Sequence, residues 1–468
     1  MKINTVVIGG GPGGYVAAIR LAQLGVEALV IEKENLGGVC LNVGCIPSKA
    51  VIHAAKSYYK AKNEFGNMGI RINDPQLDFP AMISWKDKIT QKLSSGIGGL
   101  LKGNRVSVLK GSASFLSKNQ LEVLDAAGTK TTVDFENCII ATGSSPISLP
   151  AFPVDQDKIV DSTGALALKK LPASMIVVGG GYIGLELGMA YAKLGTKITV
   201  VEFADSVLSA FDKDIVQVIE KKIKKLGIDV LTGTKAQSYK ESGSQITLVC
   251  ETPAGVKEVT ADHLFVSIGR RPNTQGMNLE KIGIELDKHG FIKINEKLQS
   301  NVLGIYAIGD VAGQPMLAHK ASKEGEIAAE VIAGHNSVMD LRQIPAVVFT
   351  DPEVGQAGLQ EKEARAKGLN ITVSRFPYAA IGRSLTTDET DGFVKFISDA
   401  NTREVLGITI VGANASDLIS EACLAIEMGA FVEDIALTVH PHPTFGEILM
   451  EAAKGNLGEA IHMLNPKH

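Results

Sequence analysis

Cysteine is scarce in this chain. There are five in 468 residues, Cys40, Cys45, Cys138, Cys250 and Cys423. An odd number scattered through a long chain is not how a secreted, disulfide-stapled domain is written. Charge of one sign is lacking too: the formal net charge is -4 and no run of five like charges occurs, so nothing provides the electrostatic footprint of a nucleic-acid or anionic-membrane binder. Long apolar runs are missing as well. The stretch Ile3 to Ile19 follows a lysine as a signal peptide would, but it holds five glycines and a proline, and no other segment approaches the roughly 20 apolar residues a bilayer needs. The expectation is a cytoplasmic protein with no membrane and no nucleic-acid partner. With 45% hydrophobic and 21% charged residues the composition is that of a folded chain, and its length predicts two to four domains.

What is present begins with a repeat. "NTVVIGGGPGGYVAAIRLAQLGVEALVIEK" reads as a buried β-branched strand, a glycine turn, an Ala/Leu helix ending near Gly25, and a second strand ending at Glu32. "SMIVVGGGYIGLELGMAYAKLGTKITVVEF" repeats the plan. Each copy carries G-x-G-x-x-G, at Gly9, Gly11 and Gly14 and at Gly179, Gly181 and Gly184, with an acid, Glu32 or Glu202, eighteen positions after the third glycine. Glycines allow a tight turn and close approach of the backbone to a pyrophosphate, which a helix N-terminus then meets with free N–H groups; the acid reaches a ribose hydroxyl. One such motif is weak, but two in register predict that the chain binds two dinucleotides.

Between the copies lie a helical region from 48 to 103, interrupted by Pro75, Asp78 and Pro80, and hairpin-like strands to about 137. "NCIIATGSSP" and "LFVSIGRRPN" close the two units, and "GIYAIGDVAG" is a third strand-to-glycine turn before a long helix. From about Pro345, alternating strands and two helices read as a separate α+β unit. The expected domains are 1–146, 147–272, 273–344 and 345–468.

The chemistry concentrates in "GGVCLNVGCIPSK" and "HPHPTFGE". Cys40 and Cys45 are open to two plain readings, small buried hydrophobes or half of a zinc site. No second ligand cluster exists for the latter, and no metal is expected. The third reading is a redox-active pair, because the segment follows the first dinucleotide unit, where a flavin could reach it. Cys45 precedes a helix start that would stabilise its thiolate. Lys49, four residues on, would share its face. Glu186, two past Gly184, either favours its helix N-terminus or pairs with Lys49. His442, held by Pro443, suits a neutral-pH base. His440 is a supporting group, and Thr444 to Glu447 fits a capping box.

Taken together, "GGVCLNVGCIPSK", the two fingerprints in this order, "ATGSSP", "IGRRPN" and "YAIGDVAG" resemble the class I pyridine nucleotide-disulfide oxidoreductases, from about residue 4 to about residue 465. The resemblance implies an α/β fold with two Rossmann-like dinucleotide-binding domains, one for FAD and one for NAD or NADP, plus a C-terminal α+β dimerisation domain. It implies FAD contacts at Gly9, Gly11, Gly14, Glu32, Lys49, Thr142, Gly143, Asp310, Leu317, Ala318 and His319, and nicotinamide-cofactor contacts at Gly179, Gly181, Gly184, Glu202 and Gly269. It also implies a disulfide with Cys40 as the outer sulfur and Cys45 beside the flavin, tuned by Lys49 and Glu186. His442 would be the base, oriented by Glu447 and reaching the disulfide of the other subunit of a homodimer.

Glu202 would repel a 2′-phosphate, and "FADSVLSAFD" after it has no basic residue, so NAD is expected rather than NADP. "PMLAHKASKEG", "FTDPEVG", "IGRSL" and "AIEMGAFVEDIALTVHPHPT" resemble the members that reoxidise dihydrolipoamide. The expected partners are then the lipoyl domains or core of 2-oxo acid dehydrogenase complexes, or the H protein of glycine cleavage. The alternatives are an NAD-linked flavoprotein reductase of another small disulfide and a non-catalytic redox sensor.

Overall fold

A computed structural model describes residues 1–465, so residues 466–468 of the expected last domain lie outside the described residues. The chain opens with β1 (Lys2–Ile8), α1 (Pro12–Gln23) and β2 (Ala28–Glu32), then α2 (Gly38–Asn42), α3 (Cys45–Asn63) and α4 (Phe79–Gly103). Pro12 at the first turn of α1 loses no hydrogen bond there. The Asp78 side chain caps α4 by accepting the Ala81 N–H at 2.9 Å. Four strands follow, β3 (Ser107–Lys110), β4 (Ser112–Ser117), β5 (Gln120–Leu124) and β6 (Lys130–Ile140). They complete a sheet in the order β3-β2-β1-β6-β5-β4, parallel from β3 to β6. Val7, Val30 and Ile139 are fully buried at its centre, each contributing about 1.5–3 kcal/mol by leaving water.

The second unit starts with β7 (Ser144–Pro146), β8 (Ile159–Val160) and α5 (Ser162–Ala165). β9 (Ser174–Val178), α6 (Tyr182–Leu194) and β10 (Lys197–Val201) repeat the opening of the chain, and α7 (Lys213–Lys225) and β11 (Asp229–Leu231) extend it. A three-stranded meander, β12 (Lys235–Ser242), β13 (Gln245–Thr252) and β14 (Gly255–Ala261), is inserted before β15 (His263–Val266). The parallel order is β11-β10-β9-β15-β8. The chain leaves along β16 (Arg270–Pro272), which pairs with β7, so the two connectors run side by side.

After α8 (Leu279–Ile282), β17 (Ile305–Ala307) returns to the first sheet and pairs with β6 in parallel. α9 (Ala318–Ile332) then lies on α1 so closely that a Cβ on Gly325 would stand 2.5 Å from the Gly13 carbonyl oxygen. That contact brings the start of α9 beside the first glycine loop.

The last unit holds β18 (Ala346–Val348), β19 (Glu353–Gly358), α10 (Glu361–Ala366), β20 (Ile371–Pro377), α11 (Gly382–Thr387), β21 (Phe393–Asp399) and β22 (Val405–Gly412). α12 (Ala415–Met428), α13 (Val432–Leu437) and α14 (Glu447–Asn456) cover the sheet, whose order β18-β19-β22-β21-β20 is antiparallel throughout. The segments "AVVFT", "FVKFISD" and "VLGITIVG" predict three of these five strands; β19 and β20 carry no such signal, since their patterns are broken by Gly355, Gly358 and Pro377.

One helical stretch, Gly38–Asn63, is long and apolar enough to cross a membrane by length and composition, which differs from the expectation that no segment comes near. In the fold it carries Lys49 against Glu186 of α6.

Candidate active site

Two glycine loops frame the site. A Cβ on Gly14 would lie 1.9 Å from the Gly9 carbonyl oxygen, and one on Gly184 would lie 2.3 Å from that of Gly179. Only glycine lets helix and strand approach so closely. Over Gly181, by contrast, nothing lies within 4 Å, and over Gly11 only the Gly38 Cα at 3.9 Å. Each loop therefore leaves a cradle open at its middle glycine. The helices behind them, α1 and α6, have no side-chain cap and no acid in the first turn, so their free N–H groups face that space with a partial positive charge. This donor set fits the pyrophosphate of a dinucleotide at both loops.

Glu32 and Glu202 hold these loops in matching ways. Glu32 Oε2 accepts the Gly10 N–H at 2.7 Å and Oε1 accepts that of Glu34 at 2.6 Å. Glu202 accepts the Gly180 N–H at 2.5 Å and the Ala204 N–H at 2.6 Å. A carboxylate oxygen has lone pairs left after one such bond, so a sugar hydroxyl can still be received.

Cys40 lies in α2 and Cys45 opens α3; both are free thiols in side-chain contact, Cys40 half-buried and Cys45 exposed. The hydrogen bond from Cys40, together with the Lys49 ammonium one turn along the helix, lowers the Cys45 thiol to about 7. Sharing that hydrogen bond pushes Cys40 in the opposite direction. The pair therefore puts negative charge on Cys45, at an uncapped helix start. Among the described residues no group of three or more His, Cys, Asp or Glu could hold a metal ion.

Lys49 Nζ donates to Glu186 Oε2 at 2.8 Å, and Glu186 is buried. The second oxygen of Glu186 accepts the Phe349 N–H at 2.9 Å, and the Phe349 ring lies 4.2 Å from Lys49 Nζ. Sequence reasoning missed Phe349, because no local pattern marks a residue 163 positions from its partner.

Asp310 sits in the turn after β17 and accepts from Ser144 Oγ at 2.5 Å, while Arg270 donates to Ser144 Oγ at 2.7 Å and to its carbonyl at 2.6 Å. The Thr142-Gly143 turn is pinned by Asn273, whose amide donates to the Thr142 carbonyl at 2.9 Å while its own carbonyl accepts the Thr142 hydroxyl at 2.7 Å. Leu317 is the N-terminal cap position of α9, Ala318 and His319 form its first turn, and His319 Nε2 bonds to the Pro345 carbonyl at 2.8 Å. Gly269, with φ +120°, ends beside Ile147, at 3.4 Å from where a Cβ would stand.

At the far end of the chain, His442 Nδ1 bonds to Glu447 Oε1 at 2.8 Å. Burial pushes the Glu447 carboxyl up, but the His442 ring and the Thr444 N–H, 2.9 Å from its other oxygen, hold it below its ordinary value. The capping box that the Thr444 to Glu447 spacing fits is only half formed. α14 starts only at Glu447, and the Thr444 hydroxyl donates to the Pro441 carbonyl at 2.8 Å, so just the carboxylate half of the box exists. Glu447 is instead shared between a backbone amide and an imidazole. His440 faces acceptors at both ring nitrogens, Glu421 Oε1 at 2.8 Å and the Thr438 carbonyl at 2.9 Å. Only an imidazolium satisfies both, and the Glu421 bond raises its pKa accordingly.

Residues 3–325 match the family described as "Pyridine nucleotide-disulphide oxidoreductase", and residues 344–453 match its dimerisation domain. The chain is 48% identical over 464 residues to dihydrolipoyl dehydrogenase of Geobacillus stearothermophilus, covering 99% of this chain and 98% of that one. It is also 48% identical over 465 residues to the same enzyme of Bacillus subtilis (strain 168), with the same coverage. The crystal structure of LpdA from Mycobacterium tuberculosis superposes with a TM-score of 0.91 at 28% identity, over 97% of this chain and 99% of that chain.

Proposed function

This chain belongs to the pyridine nucleotide-disulphide oxidoreductase family, and from that premise we propose that it oxidises the dithiol of dihydrolipoamide with NAD⁺ through the sulfur pair Cys40 and Cys45. It is an NAD-dependent, FAD-containing disulfide oxidoreductase and works as a homodimer. What supports the reading most is one combination: a thiol pair poised for a thiolate at Cys45, and a histidine held by a carboxylate on the dimerisation unit.

The residues divide the work as follows. His442, steadied by Glu447, takes the proton from a substrate thiol. With Cys40 and Cys45 joined as a disulfide in the oxidised enzyme, the resulting thiolate attacks Cys40, a mixed disulfide forms, the Cys40–Cys45 bond breaks, and Cys45 leaves as a thiolate that its helix start and Lys49 stabilise. The second substrate thiol attacks Cys40 in turn, so lipoamide leaves oxidised and the protein holds two reduced sulfurs. Bound FAD supplies the two-electron passage from that dithiol to NAD⁺. For FAD we assign the first glycine loop, Glu32, Lys49, the Thr142-Gly143 turn, Asp310 and the start of α9. NAD we assign to the second glycine loop, Glu202 and Gly269. Lys49 and Glu186 keep a half-buried ion pair beside the reacting sulfur.

Since His442 is 76% exposed on its own chain, the reading has it serve the sulfur pair of the partner subunit. Leu437 and Val439, 81% and 91% exposed just before it, belong to an apolar face that a second copy would cover. We further propose the domain division 1–146, 147–272, 273–344 and 345–468. The substrate arm would come from a lipoyl domain of a 2-oxo acid dehydrogenase complex or from the glycine-cleavage H protein, in the cytoplasm.

Anaerobic titration with dihydrolipoamide tests the assignment. One equivalent per subunit should raise a long-wavelength thiolate–flavin absorbance, with faster turnover than other small dithiols give; a flavin that responds to NADH but not to the dithiol would sink it. The two loops should also be separable. Gly184→Ala drives a Cβ into the Gly179 carbonyl, and NADH affinity should fall by about tenfold or more while the yellow colour of bound flavin stays. Unchanged NADH affinity by fluorescence quenching would count against the second loop as the nicotinamide site.

A further inference from the structure

Three segments far apart in the chain meet at the Lys49 ammonium: α3 itself, α6 through Glu186, and the connector between β18 and β19 through Phe349. The connector is fastened a second time. Asp351, two residues past Phe349, takes Lys193 Nζ at 2.6 Å and Lys222 Nζ at 3.2 Å on one carboxylate oxygen. Lys193 stands seven residues after Glu186 on α6, two turns along the same face. On α3, Lys56 stands seven after Lys49; its charge also faces Asp351, while its Nζ bonds to Glu389 at 2.8 Å. The packed helices α3 and α6 thus carry two rungs, one at Glu186 and one at Asp351, with the connector running from one to the other.

We infer that Phe349 and Asp351 form a positioning strap: Asp351, anchored on Lys193 and Lys222, holds Phe349 against Lys49 and Glu186 and so sets where the ammonium stands relative to the Cys45 sulfur. This deepens the reading of Cys45 and Lys49 given above and rests on it. The physical need is plain. A lysine stem has several free torsions, and one ion pair leaves its charge loosely placed. An aromatic face gives the ammonium a second, directional contact. The Phe349 N–H fixes the orientation of the carboxylate between them. Burial alone would push the Asp351 carboxyl up, but the two ammonium groups hold it well below the usual carboxylate range, so the anchor stays charged at any working pH. Take that charge away and Lys193 and Lys222 are left as a buried like-charge pair that must move apart.

The test reads the thiolate of the two-electron-reduced, flavin-loaded dimer by its long-wavelength absorbance across pH. Within the chain the charged and titratable groups facing Cys45 are Cys40 from α2, Lys49 from its own helix, and Glu186 and Tyr182 from α6; in the dimer the proposed function adds His442 of the partner subunit, which neither variant touches. Phe349→Leu keeps the backbone N–H and an apolar side chain but removes the ring. The strap requires its pH midpoint to rise by about half a unit, a roughly threefold loss of thiolate at fixed pH, because the cation that stabilises the thiolate is less well held. Asp351→Asn should shift it the same way, and the double variant should move it no further than the larger single one, since both act through one device. If Asp351→Asn does not yield folded dimer, Phe349→Leu decides alone. A midpoint that Phe349→Leu leaves in place, even with a lowered melting temperature, overturns the strap and leaves the proposed function standing. A wild-type protein with no such absorbance at any pH overturns the reading of Cys45 and this inference with it.

Discussion

Cys45→Ser abolishes the oxidation of dihydrolipoamide by NAD⁺, a fall on the order of 10⁴-fold or more, in a protein that folds, dimerises and keeps its flavin. The serine fits the space of the thiol, so packing is conserved; what is lost is the sulfur that must leave when Cys40 is attacked. No other cysteine can stand in. Cys138 and Cys250 are buried in β6 and β13, and burial pushes both thiols up, which leaves them inert. Cys423 lies on α12 of the last unit, its thiol pushed up by burial as well. The accompanying spectroscopic result is specific: the long-wavelength absorbance of the reduced protein disappears at every pH. In wild type that absorbance should fade as the pH drops below about 7, where the lowered Cys45 thiol takes up its proton. Persistence of the absorbance in the serine variant would mean that Cys40 is the sulfur next to the flavin, and the order of attack would have to be reversed.

His442→Gln separates the two half-reactions. Dithiol oxidation should slow by about 10²- to 10⁴-fold, the range expected for losing a general base, whereas NADH oxidation by an artificial acceptor, which needs no substrate thiol deprotonated, should stay within about twofold of wild type. The glutamine amide can still meet Glu447, so the turn after Pro443 is kept. The carboxylate partner of His442 is engaged 2.9 Å from the Thr444 N–H as well. Loss in both assays to the same degree would show damage to the fold or the dimer and would remove the base assignment. Single-turnover rates with dihydrolipoamide sharpen the result, since the variant should lose rate in the thiol step alone.

Much of the site could be read from short stretches because its chemistry is local. A glycine that must let a helix start within van der Waals reach of a strand end, as Gly14 does at Gly9, is five residues from its partner. The sulfur pair is five residues apart and the histidine–carboxylate pair also five. Residues this close in sequence constrain each other whatever the rest of the chain does. The fold class followed for a similar reason, since strand, glycine turn, helix and strand within about 30 residues is a complete unit, and it occurs twice.

Other features depend on partners that only folding brings near. Phe349 reaches Glu186 across 163 positions, Ser144 reaches Asp310 across 166, and Arg270 reaches Ser144 across 126. No periodicity encodes such pairs. β19 and β20 gain their place from neighbours in an antiparallel sheet rather than from their own broken patterns. The capping box that Thr444 to Glu447 fits by spacing is formed only on its carboxylate side, because the Thr444 hydroxyl turns to the Pro441 carbonyl. Residue types and short spacings thus decided which cofactors and which sulfur chemistry this chain can support, because those demands are met within a turn or a loop. Which ammonium is held where, and by what, was left to the packing of distant segments, because a charge in a site is placed by everything that surrounds it.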